Sequence, residues 1–445
     1  MAMKRHVIVG GGTAGLNAIT TIREYDRGES EVVLLSGEWP YARMVLPYYL
    51  GHEISESHVF TATATRLAKL GVKPHIGRRA TALDTKNNKL TLDDGTILEY
   101  DDLLIATGSS ATRPPIPGAN GPRIYNQWAM DDTRGVLAEI KGGMDVVMVG
   151  AGFISFTILN SVLSHGVNLH VIEVMPQVLP RMIDREAAIL VQDWLRGRGV
   201  HIHTSTTVKA IEDVDGRKRL LLAEGGDLMA DLVIMGTGIR PNLGWLAGSG
   251  IEINQGVLVD DHLRSNVSNV YAAGDVAEGP ELITGKREVH AIEPTAMAHG
   301  RVVGANMVGR DIAYRGSLLM NILDVQQLDI ASFGNWSAAD RETSVLLEPR
   351  GHIYRKLVWD GDRIVGAVIM GPARGIWTTN DVGMLKGLIY SGVHLGAWKG
   401  YLQEHMKDLK KPFVACHVIR DMLPVTVLDH PTVPARDVVA VEPAG

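Results

Sequence analysis

Cysteine is almost missing. One residue, Cys416, is the whole supply in 445. That excludes an internal disulfide, a Cys–Cys redox pair and a four-cysteine zinc or iron–sulfur site within one chain. A cytoplasmic location is the simplest expectation. Neither sign of charge dominates: 44 Lys plus Arg face 50 Asp plus Glu, a net −6. Nothing in that balance points to nucleic acid or an anionic membrane as a partner. Phenylalanine is scarce, with five. Long apolar runs are few as well. The run at the N-terminus stops at Gly10, far short of a signal-peptide core. Val146–Ser164 has 19 residues without a charge, but Gly150, Gly152, Ser155, Thr157, Asn160 and Ser161 interrupt it. A strand, a glycine turn and a buried helix explain it better than a membrane span.

Glycine is what the chain has in quantity, at 49. Such a load suggests tight turns and close backbone approach. His6–Gly10 predicts a short buried strand. Gly10, Gly12 and Gly15 follow as G-x-G-x-x-G, with Thr13 and Ala14 inside the motif. A helix from about Ala14 to Glu24 and a second strand over Glu31–Leu35 complete the unit. The first glycine makes the tight turn and the second lets backbone approach a pyrophosphate. The third lets helix and strand pack closely, with the helix amino end facing the negative charge. An acidic residue for ribose hydroxyls belongs near the end of the second strand. Ser36 stands there, and Glu38, two positions on, is the candidate.

The unit recurs. Asp145–Val149 reads as a strand, and Gly150-Ala151-Gly152 opens a helix at Phe153 and Ile154. Asn168–Ile172 is the next strand, ending at Glu173. A carboxylate there can accept from adenosine ribose hydroxyls and repels a 2′-phosphate, so NADH is favoured over NADPH. Ser155 replaces the third glycine. Two such units imply two dinucleotides, a bound flavin and a mobile nicotinamide nucleotide.

Three later segments carry a resemblance. Leu103–Gly108 reads Leu-Leu-Ile-Ala-Thr-Gly, Leu232–Asn242 reads Leu-Val-Ile-Met-Gly-Thr-Gly-Ile-Arg-Pro-Asn, and Val270–Val276 reads Val-Tyr-Ala-Ala-Gly-Asp-Val. With both glycine motifs, in this order, they resemble the FAD-dependent pyridine nucleotide–disulfide oxidoreductase superfamily. The branch is that of NADH oxidases, rubredoxin reductases and nitrite reductase flavoproteins, and the likeness covers about residues 4 to 400. It implies an α/β fold of two Rossmann-like dinucleotide-binding domains, for FAD and NAD, plus an α+β C-terminal interface domain. The expected division is 1–120 with 245–320 for FAD, 121–244 for NAD(H), and 321–445 for the interface domain with an extension. The resemblance also implies FAD contacts for Ala106, Thr107 and Gly108 and for Gly274 and Asp275, and a closing turn of the NAD domain at Gly236-Thr237-Gly238, for which a plain surface turn is the competing reading. Asp275 has a second reading, as a helix N-cap.

Tyr41–Tyr49, with Arg43 and Leu46-Pro47-Tyr48-Tyr49, matches a segment that packs near the flavin in that branch. In thiol-using members it bears the reactive cysteine, and Met44 holds that position here. A thioether forms no thiolate, sulfenic acid or mixed disulfide. The reading therefore excludes a cysteine-dependent peroxidase, a sulfenate-using oxidase and a coenzyme A disulfide reductase. A glutamate common near the nicotinamide is replaced by Thr157. His290, Glu293 and His299 lie in the segment after the Gly-Asp motif, whose helix flanks the flavin in the family; its histidines either touch the flavin or only pack.

The expected activity is an FAD enzyme that takes a hydride from NADH and passes electrons to an iron–sulfur, ferredoxin- or rubredoxin-like protein. A peroxide-forming NADH oxidase and a non-catalytic flavin-binding or redox-sensing subunit are the alternatives. No acid–base catalytic pair is expected, since hydride transfer needs none. A homodimer follows from the resemblance. The C-terminus is expected to carry a hairpin at Arg355–Met370 and a helix from Asp381 to Tyr390. The basic stretch before Pro412 reads as a solvated loop, with a docking patch for an acidic protein as the sharper alternative. Cys416 reads as a small buried hydrophobe, its neighbour His417 facing the other way if both lie on a strand.

Overall fold

The computed structural model describes residues 3–373 and 380–419. Two parallel five-stranded sheets dominate it. In the first, Arg5–Val9 lies between Glu31–Ser36 and Asp102–Ile105, with Val72–Ile76 and Val270–Ala272 at the two edges. The second repeats that order. Asp145–Val149 lies between Asn168–Ile172 and Leu232–Met235, with His201–His203 and Ile124–Asn126 outside them. The central strands read as near-continuous apolar runs because helices or loops cover both faces. Val7, Ile8, Leu34 and Leu103 are fully buried in one core, Val146, Met148 and Leu169 in another.

The duplication extends further. Each unit carries a three-stranded antiparallel sheet inserted between its parallel strands, at residues 80–99 before Asp102–Ile105 and at 208–230 before Leu232–Met235. The two chain crossings between the units pair with each other. Ser109–Ala111 runs antiparallel to Ile239–Pro241, and the Thr112 and Asn242 amides donate to Gly238 O and Gly108 O at 2.8 and 2.9 Å. The strand Val270–Ala272, far along the chain, closes the edge of the first sheet.

An antiparallel five-stranded sheet over residues 320–372 follows, with helices Asp381–Ser391, Trp398–Glu404 and Lys410–Ala415. The expected hairpin is present as Ile353–Asp360 and Arg363–Pro372. Its sheet is tied to the helices by a buried ion pair between Arg355 and Asp381. No helix among the described residues is long and apolar enough to cross a membrane. The uncharged run at 146–164 resolves into the expected strand, turn and helix, Phe153–Leu163.

Two expectations are corrected at the C-terminal end. The basic stretch before Pro412 is the first turn of a helix, Lys410–Ala415, and not a loop. Proline is tolerated there because a first-turn N–H has no helical partner to lose. Cys416 follows that helix rather than lying on a strand, so alternation of side chains does not apply to Cys416 and His417.

Candidate functional site

Both glycine turns are built by the same contacts. Gly10 N donates to Leu35 O at 2.8 Å, and Gly150 N donates to Ile172 O at 2.7 Å. Each glycine has positive φ, +122° and +101°, a region L side chains avoid. A Cβ on Gly10 would lie 2.0 Å from Ala106 O, and one on Gly150 would lie 2.4 Å from Gly236 O. Ala106-Thr107-Gly108 and Gly236-Thr237-Gly238 therefore occupy equivalent places, each beside the first glycine of its unit.

The helices that follow, Thr13–Asp26 and Phe153–Leu163, begin at Gly12 and Gly152 with no side-chain cap and no acidic residue in the first turn. Their first amides are left for an anion. The helix Arg185–Arg196 shows the contrast, since Asp184 caps it. A Cβ on Gly12 or Gly152 would meet nothing within 4 Å, so the space above each turn is open. An uncapped helix end beneath an open, glycine-floored space fits a dinucleotide diphosphate.

Around the first unit the predicted residues converge in part. Asp275 accepts from Ser109 Oγ at 2.6 Å and lies in the short turn Gly274–Val276. No helix is capped by it, so the N-cap reading is set aside. Arg43 stacks on Trp128 with its guanidinium carbon 4.6 Å from the ring centroid. Both groups reach Ser109 O, Trp128 Nε1 at 2.8 Å and Arg43 at 3.4 Å. Arg43 Nε is buried with no hydrogen-bond partner among the described residues. Thr13 Oγ1 donates to Glu293 Oε1 at 3.4 Å across 280 positions of sequence. Glu38 is exposed beyond its strand, where it can receive hydroxyls. Pro47 sits in the short helix Leu46–Leu50, and its carbonyl accepts from Ser161 Oγ at 2.7 Å. Met44 is 53% exposed.

In the second unit, Glu173 is buried. Its two carboxylate oxygens accept from the Ala151 and Met175 amides, each at 2.8 Å. The side chain thus braces the glycine turn, and each oxygen keeps capacity for one further donor. Phe153 packs on the core beneath, and Ile154 O accepts from Thr157 Oγ1 at 2.7 Å. Ser155 is buried, and its hydroxyl has no partner among the described residues. Space for it comes from Gly236, where a Cβ would lie 1.9 Å from Ser155 Oγ. The first unit has the reverse pair, Gly15 with Ala106.

The sequence reading missed Trp128, Ser109 as the link to Asp275, and Gly236 as the partner of Ser155. Only Gly236 left a signal, as a glycine where the first unit has alanine. His299 is buried beside the Gly-Asp turn: Nδ1 accepts from Gly274 N at 3.3 Å, and burial drives its pKa down to about 3. A cleft of about 600 Å³ between Arg27, Lys69 and Lys73 lies at the amino ends of the strands Glu31–Ser36 and Val72–Ile76. Parallel sheets bind ligands at the carboxyl ends of their strands, so that cleft is not the nucleotide site.

Residues 4–289 match the family described as pyridine nucleotide-disulphide oxidoreductase. The chain belongs to that family. Residues 320–378 match the rubredoxin NAD+ reductase C-terminal domain. The chain is 30% identical over 386 residues to NADH-dependent phenylglyoxylate dehydrogenase subunit epsilon of Aromatoleum evansii, covering 85% of this chain and 88% of that one. It is 28% identical to the nitrite reductase [NAD(P)H] of Bacillus subtilis (strain 168), covering 83% of this chain but only 46% of that protein. A solved NAD-dependent persulfide reductase from A. fulgidus superposes with a TM-score of 0.81 at 28% identity, covering 88% of this chain and 78% of that one.

The chain is thus an NAD(P)H oxidoreductase of the FAD-dependent kind, an α/β protein with two nucleotide units and a C-terminal domain. The family's FAD and NAD(P)H fit the two uncapped turns described above. Cys416 stands outside this machinery. It is half-buried, and burial raises its thiol pKa, the opposite of an activated thiolate. Cys416→Ala is expected to leave NADH-driven flavin reduction unchanged in rapid mixing, and a lost or slowed phase would contradict that assignment.

Proposed function

We propose that this protein takes a hydride from NADH and delivers the electrons to a separate iron–sulfur protein. Met44 carries the reading: the flavin-side segment offers a thioether where thiol-using members carry the reactive cysteine. With one cysteine in the chain, just past the helix Lys410–Ala415, no dithiol exists to receive the pair. Bound FAD would supply the step from a two-electron hydride to single electrons. The chain's own residues bind and orient. The first turn, Gly10 to Gly15, holds the FAD diphosphate, with Glu38 toward the ribose and Asp275, fixed by Ser109, toward the ribityl hydroxyls. Arg43, Pro47, Ala106, Thr107, Gly108 and Gly274 shape the wall beside the ring. Gly150, Gly152, Phe153, Ile154 and Glu173 receive the nicotinamide nucleotide, and Gly238 closes that unit. Residues 1–120 with 245–320, 121–244 and 321–445 are the corresponding domains.

Two likenesses support an outside acceptor. The C-terminal domain matches that of rubredoxin reductases, and one relative is by its name a subunit of a larger dehydrogenase. A cytoplasmic homodimer is the accompanying proposal. The experiment is anaerobic mixing with NADH while the flavin absorbance is followed. If neither NADH nor NADPH bleaches it, the reading fails. Proteins that co-purify are then assayed for NADH-dependent reduction. Turnover in air exceeding turnover on every such protein would favour the peroxide-forming oxidase.

Glu173 gives the preference for NADH a test. Val174 and Met175, the next two residues, are exposed and apolar, offering a 2′-phosphate no charge. Removing the carboxylate takes away the ribose acceptor and one brace of the turn. A charged hydrogen bond contributes about 1.5–3 kcal/mol, so Glu173→Ala should raise the KM for NADH by roughly tenfold or more. The KM for NADPH should change less, narrowing the ratio. An unchanged ratio would remove Glu173 from the selectivity argument.

A further inference from the structure

The carboxyl of Glu293 stands where two helices begin. It opens the helix Glu293–Met307, and it receives the hydroxyl of Thr13, the first residue of the helix Thr13–Asp26. The helices are held at close range by small residues: a Cβ on Gly300 would lie 2.2 Å from Ala14 O, and one on Gly304 would lie 2.5 Å from Ala18 O. Gly274 lies in the same corner, its Cβ position 3.3 Å from that of Ala14 and 3.5 Å from that of Ala296. Glu293 therefore cannot retreat along its helix without separating elements that pack backbone to backbone.

That corner borders the open space above Gly12, where the FAD diphosphate fits. A carboxylate and a diphosphate would compete for the same uncapped helix end, and neighbouring like charges disfavour each other's ionisation. The diphosphate stays ionised throughout the neutral range, so the carboxyl is the group that can change. We propose that Glu293 holds a proton at its carboxyl beside the FAD diphosphate, so that binding FAD takes up one proton.

Glu293 is predisposed to this. Burial already pushes its carboxyl above the usual range, and the Thr13 hydroxyl opposes that only in part. The other titratable groups around the helix are engaged elsewhere. Asp275 takes Ser109 Oγ at 2.6 Å. His290 bonds Ser317 Oγ at 2.6 Å and Glu288 at 3.3 Å. His299 takes the Gly274 amide and lies edge-on to Tyr314. The proposal rests on the FAD assignment of the first unit and not on the identity of the acceptor.

The sign follows from linkage. Glu293 has its lower pKa without FAD and its higher pKa with it. Below both, it is protonated either way and affinity is constant. Between them, each binding event takes up a proton, and affinity falls about tenfold per pH unit. Above both, affinity is constant again and weaker.

The test dilutes purified holoprotein across pH and reads released FAD by its fluorescence. The expected result is release rising about tenfold per pH unit across one window, and a pH-independent, tight-binding Glu293→Gln variant. Calorimetry of FAD rebinding to wild type in two buffers of different ionisation enthalpy counts the proton directly, even if the variant does not fold. An uptake near zero at every pH, or a slope that persists in Glu293→Gln and vanishes in His290→Gln, overturns the proposal. A chain that neither carries nor takes up FAD overturns the FAD assignment and the proposal with it.

Discussion

Gly15→Ala is expected to strip the protein of FAD and weaken its fold, whereas Gly12→Ala should remove FAD and leave the fold intact. The two glycines sit three residues apart in one motif, but space divides their roles. A Cβ on Gly15 would lie 2.0 Å from Gly10 O and 3.2 Å from Ile8 Cγ2. Both neighbours belong to the strand and turn beneath, so no side-chain rotation relieves the first clash. The helix Thr13–Asp26 would have to lift from its sheet, moving its amides away from the diphosphate. Overpacking of this kind costs about 1–3 kcal/mol, occasionally more. A Cβ on Gly12 meets nothing within 4 Å. It fills only space that a ligand would use. Flavin content per chain and thermal unfolding of the flavin-free proteins separate the two: Gly15→Ala should melt several degrees below wild type, and Gly12→Ala should match it. Equal melting of both variants would mean the third glycine is not a packing residue.

The second prediction concerns the exchanged pair. Gly236→Ala should destabilise by about 1–3 kcal/mol, because its Cβ would lie 1.9 Å from Ser155 Oγ and 3.2 Å from Ser155 Cβ. Ser155 is 1% exposed, which leaves its hydroxyl little room to rotate away. Adding Ser155→Gly to Gly236→Ala recreates the arrangement of Gly15 and Ala106 and should recover most of the loss. A double-mutant cycle in denaturant should therefore show coupling of about 1 kcal/mol or more. Ser155→Ala alone should be neutral or stabilising, since it removes a buried hydroxyl with no partner. Additive single effects would show that the two positions do not share a volume.

What could be read from the sequence was local. A strand, a glycine turn and a helix lie within about 20 residues, and the expected helix at 14–24 appears as Thr13–Asp26. Glu173 falls where its spacing put it. The groups that complete the site come from far along the chain. Thr13 meets Glu293 across 280 positions and Ser109 meets Asp275 across 166, and neither pairing leaves a periodicity to find. Ser155 illustrates the limit well. Alone it reads as a weakened motif, and only its contact with Gly236 shows that the missing space was supplied from another strand. Lys410–Ala415 failed for a different reason. Adjacent lysines before a proline suggest a solvated loop, although a proline in the first turn of a helix breaks nothing.

One helix ties the two nucleotide units together mechanically. Phe153–Leu163 starts at the glycine turn of the second unit and spans roughly 16 Å at 1.5 Å per residue. Its far half is clamped on two sides: Ser161 Oγ donates to Pro47 O at 2.7 Å, and Asn160 Nδ2 donates to Asp324 Oδ1 at 2.8 Å. Just beyond its end, His165 Nε2 lies 2.8 Å from Leu50 O. A single rigid strut therefore spans from the pyrophosphate turn of one unit to the segment that bears Met44 in the other. The spacing between the glycine turn of the second unit and the Met44 segment of the first is thus fixed by the length and anchorage of that strut.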